Sequence, residues 1–157
     1  MRGEGVVAIL VKYLKFRWVN KNLKKMKPLA KVVVVEDDND LLFLYRHKLE
    51  REGFTVVCAK NGAEGLQIAE EHLPDIILLD LLMPVMSGPE MLARLRSTEW
   101  GSGIRVIVLT NISKDEAPPA LRLLNVDRYV VKAHHTPAQV VGIVHEILGL
   151  KPANRNG

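Results

Sequence analysis

Four short apolar runs in this chain each stop at a polar residue. Val32–Val35 ends at Glu36-Asp37, Ile76–Leu79 at Asp80, Val106–Leu109 at Thr110 and Val130–Val131 at Lys132. Unbroken apolar runs bounded by turn signals mark strands buried on both faces, as in a parallel sheet. In an open parallel sheet the carboxyl ends of the strands share one edge, and ligands bind outside that edge. The pattern therefore predicts that three acids, one hydroxyl and one ammonium converge. Such a set suits a divalent metal and a phosphoryl group.

The sequence between the runs reads as helices and one further strand. A helix is expected from about Asn39 to Glu52, with Leu41, Leu42, Tyr45 and Leu49 as its inner stripe and Gly53 as its stop. Phe54–Cys58 reads as a strand. Asn61 caps a second helix, with Glu64 at its third position, running to about His72. The third strand spans Asp75–Asp80, Met83–Gly88 is a turn, and a helix follows from about Pro89 to Ser97. The fourth strand is Arg105–Leu109. Ser113 and Glu116 resemble a capping box, but Pro118-Pro119 follows, so the next helix is expected to start late, near Glu116, and to end near Asn125. After strand Arg128–Val131, Thr136-Pro137-Ala138-Gln139 starts the last helix, whose stripe is Val140, Val141, Val144, Ile147 and Leu148. Strands alternating with helices predict a doubly wound α/β domain with a five-stranded parallel sheet in the order 2-1-3-4-5 and helices on both faces.

At 157 residues the chain is long enough for one domain with a proper core. Its net charge of +4 is unevenly spread. Residues 1–31 hold nine Lys/Arg against the single acid Glu4, a net of +8, and residues 32–157 hold thirteen against seventeen, a net of −4. The main domain thus lacks the basic footprint of a nucleic-acid binder. One cysteine, Cys58, excludes an intrachain disulfide and is expected to be a buried, inert thiol in a reducing, cytoplasmic compartment. The chain divides into a basic extension (1–29), a main domain (30–149) and a polar tail (150–157) expected to be disordered.

The extension is apolar over Val6–Val11, short of a membrane span and of a signal-peptide core. On a helical wheel Val6, Leu10, Tyr13, Leu14 and Trp18 share a broad face, with Lys12 and Lys15 opposite and Arg17 interrupting it. Such a basic helix suits an anionic membrane or a partner protein. The competing readings are a loosely held tail or sequence upstream of a start at Met26-Lys27-Pro28.

The chemistry follows from the strand ends. Glu36, Asp37 and Asp80 repel one another when close, so the cluster calls for a cation. Hard oxygen ligands with few protein groups favour Mg²⁺, which accepts phosphate oxygens and shields an incoming phosphoryl group. A carboxylate can itself be the nucleophile and form an acyl phosphate. Lys132 and the Thr110 hydroxyl suit the remaining phosphoryl oxygens. Other signals are weaker. Asp38-Asn39-Asp40 distantly resembles the nucleophile motif of haloacid-dehalogenase-type phosphatases, but a helix cap and solvated first turn explain these acids better. The adjacent His134-His135 lacks a third local metal ligand. His47, His72 and His145 fall on helix patterns, and no Gly-rich loop follows the first strand to hold a dinucleotide.

Taken in order, Val33-Val34-Val35-Glu36-Asp37-Asp38, Asp80-Leu81-Leu82-Met83-Pro84-Val85-Met86-Ser87-Gly88, Leu109-Thr110 and Tyr129-Val130-Val131-Lys132 closely resemble the receiver domain of two-component response regulators, over about residues 31–149. The resemblance implies a flavodoxin-like fold and a stand-alone, chemotaxis-type receiver. Asp80 is then the phosphoacceptor for a histidine kinase or phosphotransfer protein. Glu36, Asp37, Asp80 and the Leu82 carbonyl hold Mg²⁺, Thr110 and Lys132 bind the phosphoryl group, and Thr110 with Tyr129 form the switch. No external substrate is expected. Output passes to a downstream protein through the fourth helix, fifth strand and fifth helix. The alternatives are a phosphorylation-independent scaffold and a Mg²⁺-dependent aspartyl phosphatase.

Departures from the family pattern stand at Ala133, Asn111 and Pro118-Pro119, the last altering the start of the fourth helix, part of the surface expected to change on phosphorylation. Ala133 replaces the proline that family members usually carry after the lysine, so a trans bond and a remodelled loop before Thr136 are expected. Asn111 stands where a small residue is usual beside the switch hydroxyl. Leu82 and Ile112 occupy the two positions that tune loss of the phosphoryl group in this family. Both are apolar and neither can hydrogen-bond an attacking water, so a long-lived phosphorylated state is expected.

Overall fold

The computed structural model describes residues 4–23 and 28–152. Five parallel strands, β1 (Lys31–Val35), β2 (Thr55–Ala59), β3 (Ile76–Leu79), β4 (Arg105–Thr110) and β5 (Arg128–Val131), form one sheet in the order β2-β1-β3-β4-β5. The α-helices are α1 (Glu4–Leu23), α2 (Asn39–Arg51), α3 (Gly62–His72), α4 (Gly88–Ser97) and α5 (Pro137–Leu148). The expected doubly wound α/β order is the one observed. Strand boundaries differ from the expected ones by one residue at one or both ends, except β5, which matches.

Alternate residues of the buried strands feed two separate cores. Val33, Val35, Ile77, Leu79, Val106 and Val108 pack with Ala69 of α3 and Met91, Leu92 and Leu95 of α4. Val32, Val34, Ile76, Leu78, Ile107, Leu109 and Val130 pack on the other face with Leu42, Tyr45 and Leu49 of α2 and Val140, Val141 and Val144 of α5. Coverage on both faces is why the strand sequences are continuously apolar rather than alternating.

Each helix start has its own chemistry. Asp38 caps α2, accepting from the N–H groups of Asp40 and Leu41 at 2.9 and 3.0 Å. Asn61 caps α3 through the Glu64 N–H. Thr136 and Gln139 form the expected capping box of α5, each side chain accepting from the other's N–H. Ser87 caps α4, whose first residue is Gly88 rather than Pro89. A Cβ on Gly88 would stand 2.2 Å from the Asp80 carbonyl oxygen. The glycine is therefore needed for close approach to the end of β3, beyond its part in a turn.

The helix expected over 116–125 is corrected. That stretch holds only a 3-10 turn, Pro119–Leu123. Pro119 keeps Pro118 out of helical geometry, at φ −51° and ψ 127°, so no helix enters from the N-terminal side. Asn125 adopts φ +49°, which ends it on the other. One short segment remains, and it takes the tighter 3-10 form. The Ser113–Glu116 pair closes a local turn, with Ser113 Oγ donating to Glu116 at 2.7 Å, and starts no helix. Arg96 holds the far end: its guanidinium donates to the carbonyls of Leu124, Asn125, Gly101, Ser102 and Ile104 at 2.8–3.3 Å. It ties α4 to the approach to β4 and to the end of the 3-10 turn.

Among the described residues there is no cis peptide bond, so Lys132–Ala133 is trans, and Lys132–His134 forms a short 3-10 turn. Cys58 is half-buried rather than buried, because β2 is an edge strand; burial pushes its thiol above the ordinary range. In α1 every side chain described, Gly5 to Trp18, is exposed. The suggested start at Met26-Lys27 and most of the polar tail, residues 153–157, lie outside the described residues.

Candidate functional site at the carboxyl edge of the sheet

Register brings the strand-end residues level. Val35 of β1 pairs with Leu79 of β3, and Thr110 of β4 pairs with Val131 of β5. The ladder continues one residue past the strands: Glu36 N–H donates to Ala59 and Asp80 N–H donates to Val35, both at 3.0 Å. Those two bonds fix the backbone from which the carboxylates project. Glu36, Asp80 and Thr110 are 2%, 7% and 1% exposed. With His145 they are the buried polar side chains among the described residues, so three of the four sit on this one edge.

Carboxylate oxygens of Glu36, Asp37 and Asp80 lie within 4.8 Å of one another. Lys132 Nζ donates to Glu36 Oε2 at 2.5 Å and stands 3.3 Å from Asp80 Oδ2. One ammonium thus faces three carboxylates, and the surplus negative charge is what a divalent cation would neutralise. The all-oxygen donor set, open to solvent at the exposed Asp37, fits Mg²⁺. Burial pushes Glu36 above the ordinary carboxylate range; the bond and charge of Lys132 offset part of this, and the Asp80 charge adds to it. Asp80 Oδ1 accepts from the Leu81 N–H at 2.7 Å, and Glu36 Oε1 from the Asp38 N–H at 3.2 Å.

Thr110 and Tyr129 are engaged next door rather than with the carboxylates. Thr110 Oγ1 accepts from the Ile112 N–H at 3.4 Å. The Tyr129 hydroxyl donates to the Ile112 carbonyl at 2.9 Å and lies 3.5 Å from that of Ser113. Leu82, two residues beyond Asp80, has an exposed side chain, Asn111 is exposed and Ile112 is half-buried.

Two features of the site were not legible as such in the sequence. Tyr45 reads as part of the apolar stripe of α2, yet its hydroxyl is pushed up to about 12 by burial, with the Glu36 and Asp80 charges adding. Ile112 joins the two proposed switch residues through its own backbone, and a backbone role leaves no signature in side-chain identity. In the Met83–Gly88 turn, Val85 adopts φ +69°, an uncommon conformation for a β-branched residue.

Residues 32–144 match the model of the response regulator receiver domain. Among curated proteins, the chain is 34% identical over 124 residues to the phosphate regulon transcriptional regulatory protein PhoB of Rhizobium meliloti (strain 1021), covering 79% of this chain and 55% of that protein. It is 31% identical over 110 residues to the polar-differentiation response regulator DivK of Brucella anthropi, covering 69% and 89%. Against the transcription regulators PhoB and BvgA, the latter of Bordetella pertussis, it spans only about half their length, 55% and 41%. Among solved structures, the Vibrio cholerae chemotaxis protein CheY4 superposes with a TM-score of 0.70 at 25% identity, over 75% of this chain and 98% of that one. A CheY-like receiver domain protein from Methanospirillum hungatei gives 0.71 at 26%, over 77% and 94%.

Proposed function

The chain belongs to the response regulator receiver domain family, and from that premise we propose that Asp80 accepts a phosphoryl group from a histidine kinase or phosphotransfer protein in a Mg²⁺-dependent reaction. The observation that carries this reading is the clustering of Glu36, Asp37 and Asp80 within 4.8 Å, with the Lys132 ammonium 3.3 Å from Asp80. Glu36, Asp37, Asp80 and the Leu82 carbonyl would hold the ion. Mg²⁺ bound there supplies the charge that lets an anionic phosphoryl group approach an anionic site.

The chain's own residues do the rest. An Asp80 carboxylate oxygen attacks phosphorus; the P–N bond of the donor phosphohistidine breaks and an acyl phosphate forms, the electron pair going to the imidazole. The Leu81 N–H, bonded to Oδ1, fixes the carboxylate. Lys132 neutralises charge on the transferred oxygens, and the Thr110 hydroxyl turns from the Ile112 N–H toward the phosphoryl group. Tyr129 responds through the same residue. The output surface comprises the Pro119–Leu123 turn, β5 and α5, and the reading is of a cytoplasmic binding module without an external substrate.

Incubation with acetyl phosphate and Mg²⁺, followed by intact-mass measurement, tests this. A gain of one phosphoryl group that is lost in Asp80→Asn supports the receiver. Multiple turnover of phosphate esters points to a phosphatase, and absence of labelling with every donor points to a scaffold.

A further inference from the structure

We infer that α1 is an interfacial helix that lies flat on an anionic membrane and tethers the receiver to it. Over Val6–Trp18 nine large apolar side chains, Val6, Val7, Ile9, Leu10, Val11, Tyr13, Leu14, Phe16 and Trp18, are 46–70% exposed. At 100° per residue these cover a wide arc, and the opposite sector holds Gly5, Ala8, Lys12 and Lys15. Two bases fall inside the apolar arc, Lys21 and, among the described side chains, Arg17. The Arg17 guanidinium lies over the Tyr13 ring, 6.0 Å from the centroid, and its long stem lets the charge reach the headgroup level.

The occupant follows from charge and length. Residues 1–31 carry a net +8, and Lys21, Lys24, Lys25, Lys27 and Lys31 continue the basic series beyond Arg17. A basic segment with aromatic residues beside an apolar arc is complementary to anionic lipid headgroups over acyl chains. Among the described residues no helix is long and apolar enough to cross a membrane. Twenty residues make a rod of about 30 Å, which a flat orientation seats entirely at the interface. Residues 32–157, at net −4, offer an acidic surface within the same chain. Even so, every described side chain of α1 remains exposed. Pairing with a second copy would set like charges against each other.

The test is co-sedimentation of the full chain with phosphatidylcholine vesicles, with and without phosphatidylserine, at low and high salt. The expected result is binding that requires phosphatidylserine, weakens with salt and falls at least tenfold in Leu10→Glu/Leu14→Glu. Those positions are exposed on α1, so the variant leaves the receiver core intact, and unchanged Asp80 labelling by acetyl phosphate verifies this. In a Trp100→Phe background, the remaining Trp18 should shift its emission to the blue on the anionic vesicles. Absence of binding to anionic vesicles overturns the inference. So does binding equally strong in the double variant, or self-association that the double variant abolishes while vesicle binding stays absent.

Discussion

The Tyr129 hydroxyl donates a 2.9 Å hydrogen bond to the Ile112 carbonyl. Ile112 in turn presents its N–H to Thr110 Oγ1. A hydroxyl that leaves Ile112 for a phosphoryl group therefore changes the residue on which the aromatic ring is anchored. Tyr129→Phe should cost about 1 kcal/mol in urea unfolding, the net worth of one hydrogen bond. Labelling of Asp80 should persist in that variant. Loss of labelling would show that Tyr129 serves the chemistry rather than its transmission.

Gly88→Ala should be among the most damaging single-methyl additions in the chain. The new Cβ would meet backbone, the Asp80 carbonyl oxygen at 2.2 Å and Leu81 Cα at 2.8 Å, which cannot swing aside. The expected loss is about 3 kcal/mol by denaturant titration, the upper end for overpacking. Mg²⁺ affinity should fall with it, because the displaced backbone carries the Asp80 carboxylate.

Lys132→Met leaves Glu36 and Asp80 buried without their ammonium. Stability without metal at neutral pH should drop by about 3–5 kcal/mol, as when one partner of a buried pair is removed. Mg²⁺ should restore part of it. If added Mg²⁺ leaves the unfolding midpoint of this variant unchanged, the cluster is not a cation site.

Acidity offers an independent check. Glu36 titrates above its ordinary value in the folded chain, so folding favours its protonated form. Metal-free stability from this group is present below the unfolded value and declines as pH rises through the folded one. Mg²⁺ requires the ionised form, so its affinity should weaken on acidification sooner than for an ordinary glutamate. Calorimetric titration across the acid range, compared with Glu36→Gln, measures both.

Leu82 and Ile112 offer no polar side chain to an attacking water. The acyl phosphate should accordingly be long-lived in Mg²⁺. Leu82→Asn with Ile112→Lys should hasten its loss about tenfold, the rate equivalent of about 1.4 kcal/mol in the transition state. Phosphate release from the purified phosphoprotein gives the two rates; faster loss from the parent chain would refute the expectation.

The sequence determined the sheet, its order and the set of residues at its edge. Apolar runs closed by Glu36, Asp80, Thr110 and Lys132 are local, and parallel pairing converts their ends into one place. Capping at Asn61 and Thr136 was equally legible, because those bonds span three residues. Tertiary structure alone decided the rest. Pro118-Pro119 at one end and the positive φ of Asn125 at the other left a 3-10 turn where a late-starting helix was expected. Arg96 reaches carbonyls as far as 29 residues away to hold that turn. The need for glycine at 88, the bridging backbone of Ile112 and the effect of the carboxylates on Tyr45 depend on distances across the sheet edge. Such distances exist only once β1, β3, β4 and β5 have paired, because linear spacing records which side chains are available and packing sets which atoms meet.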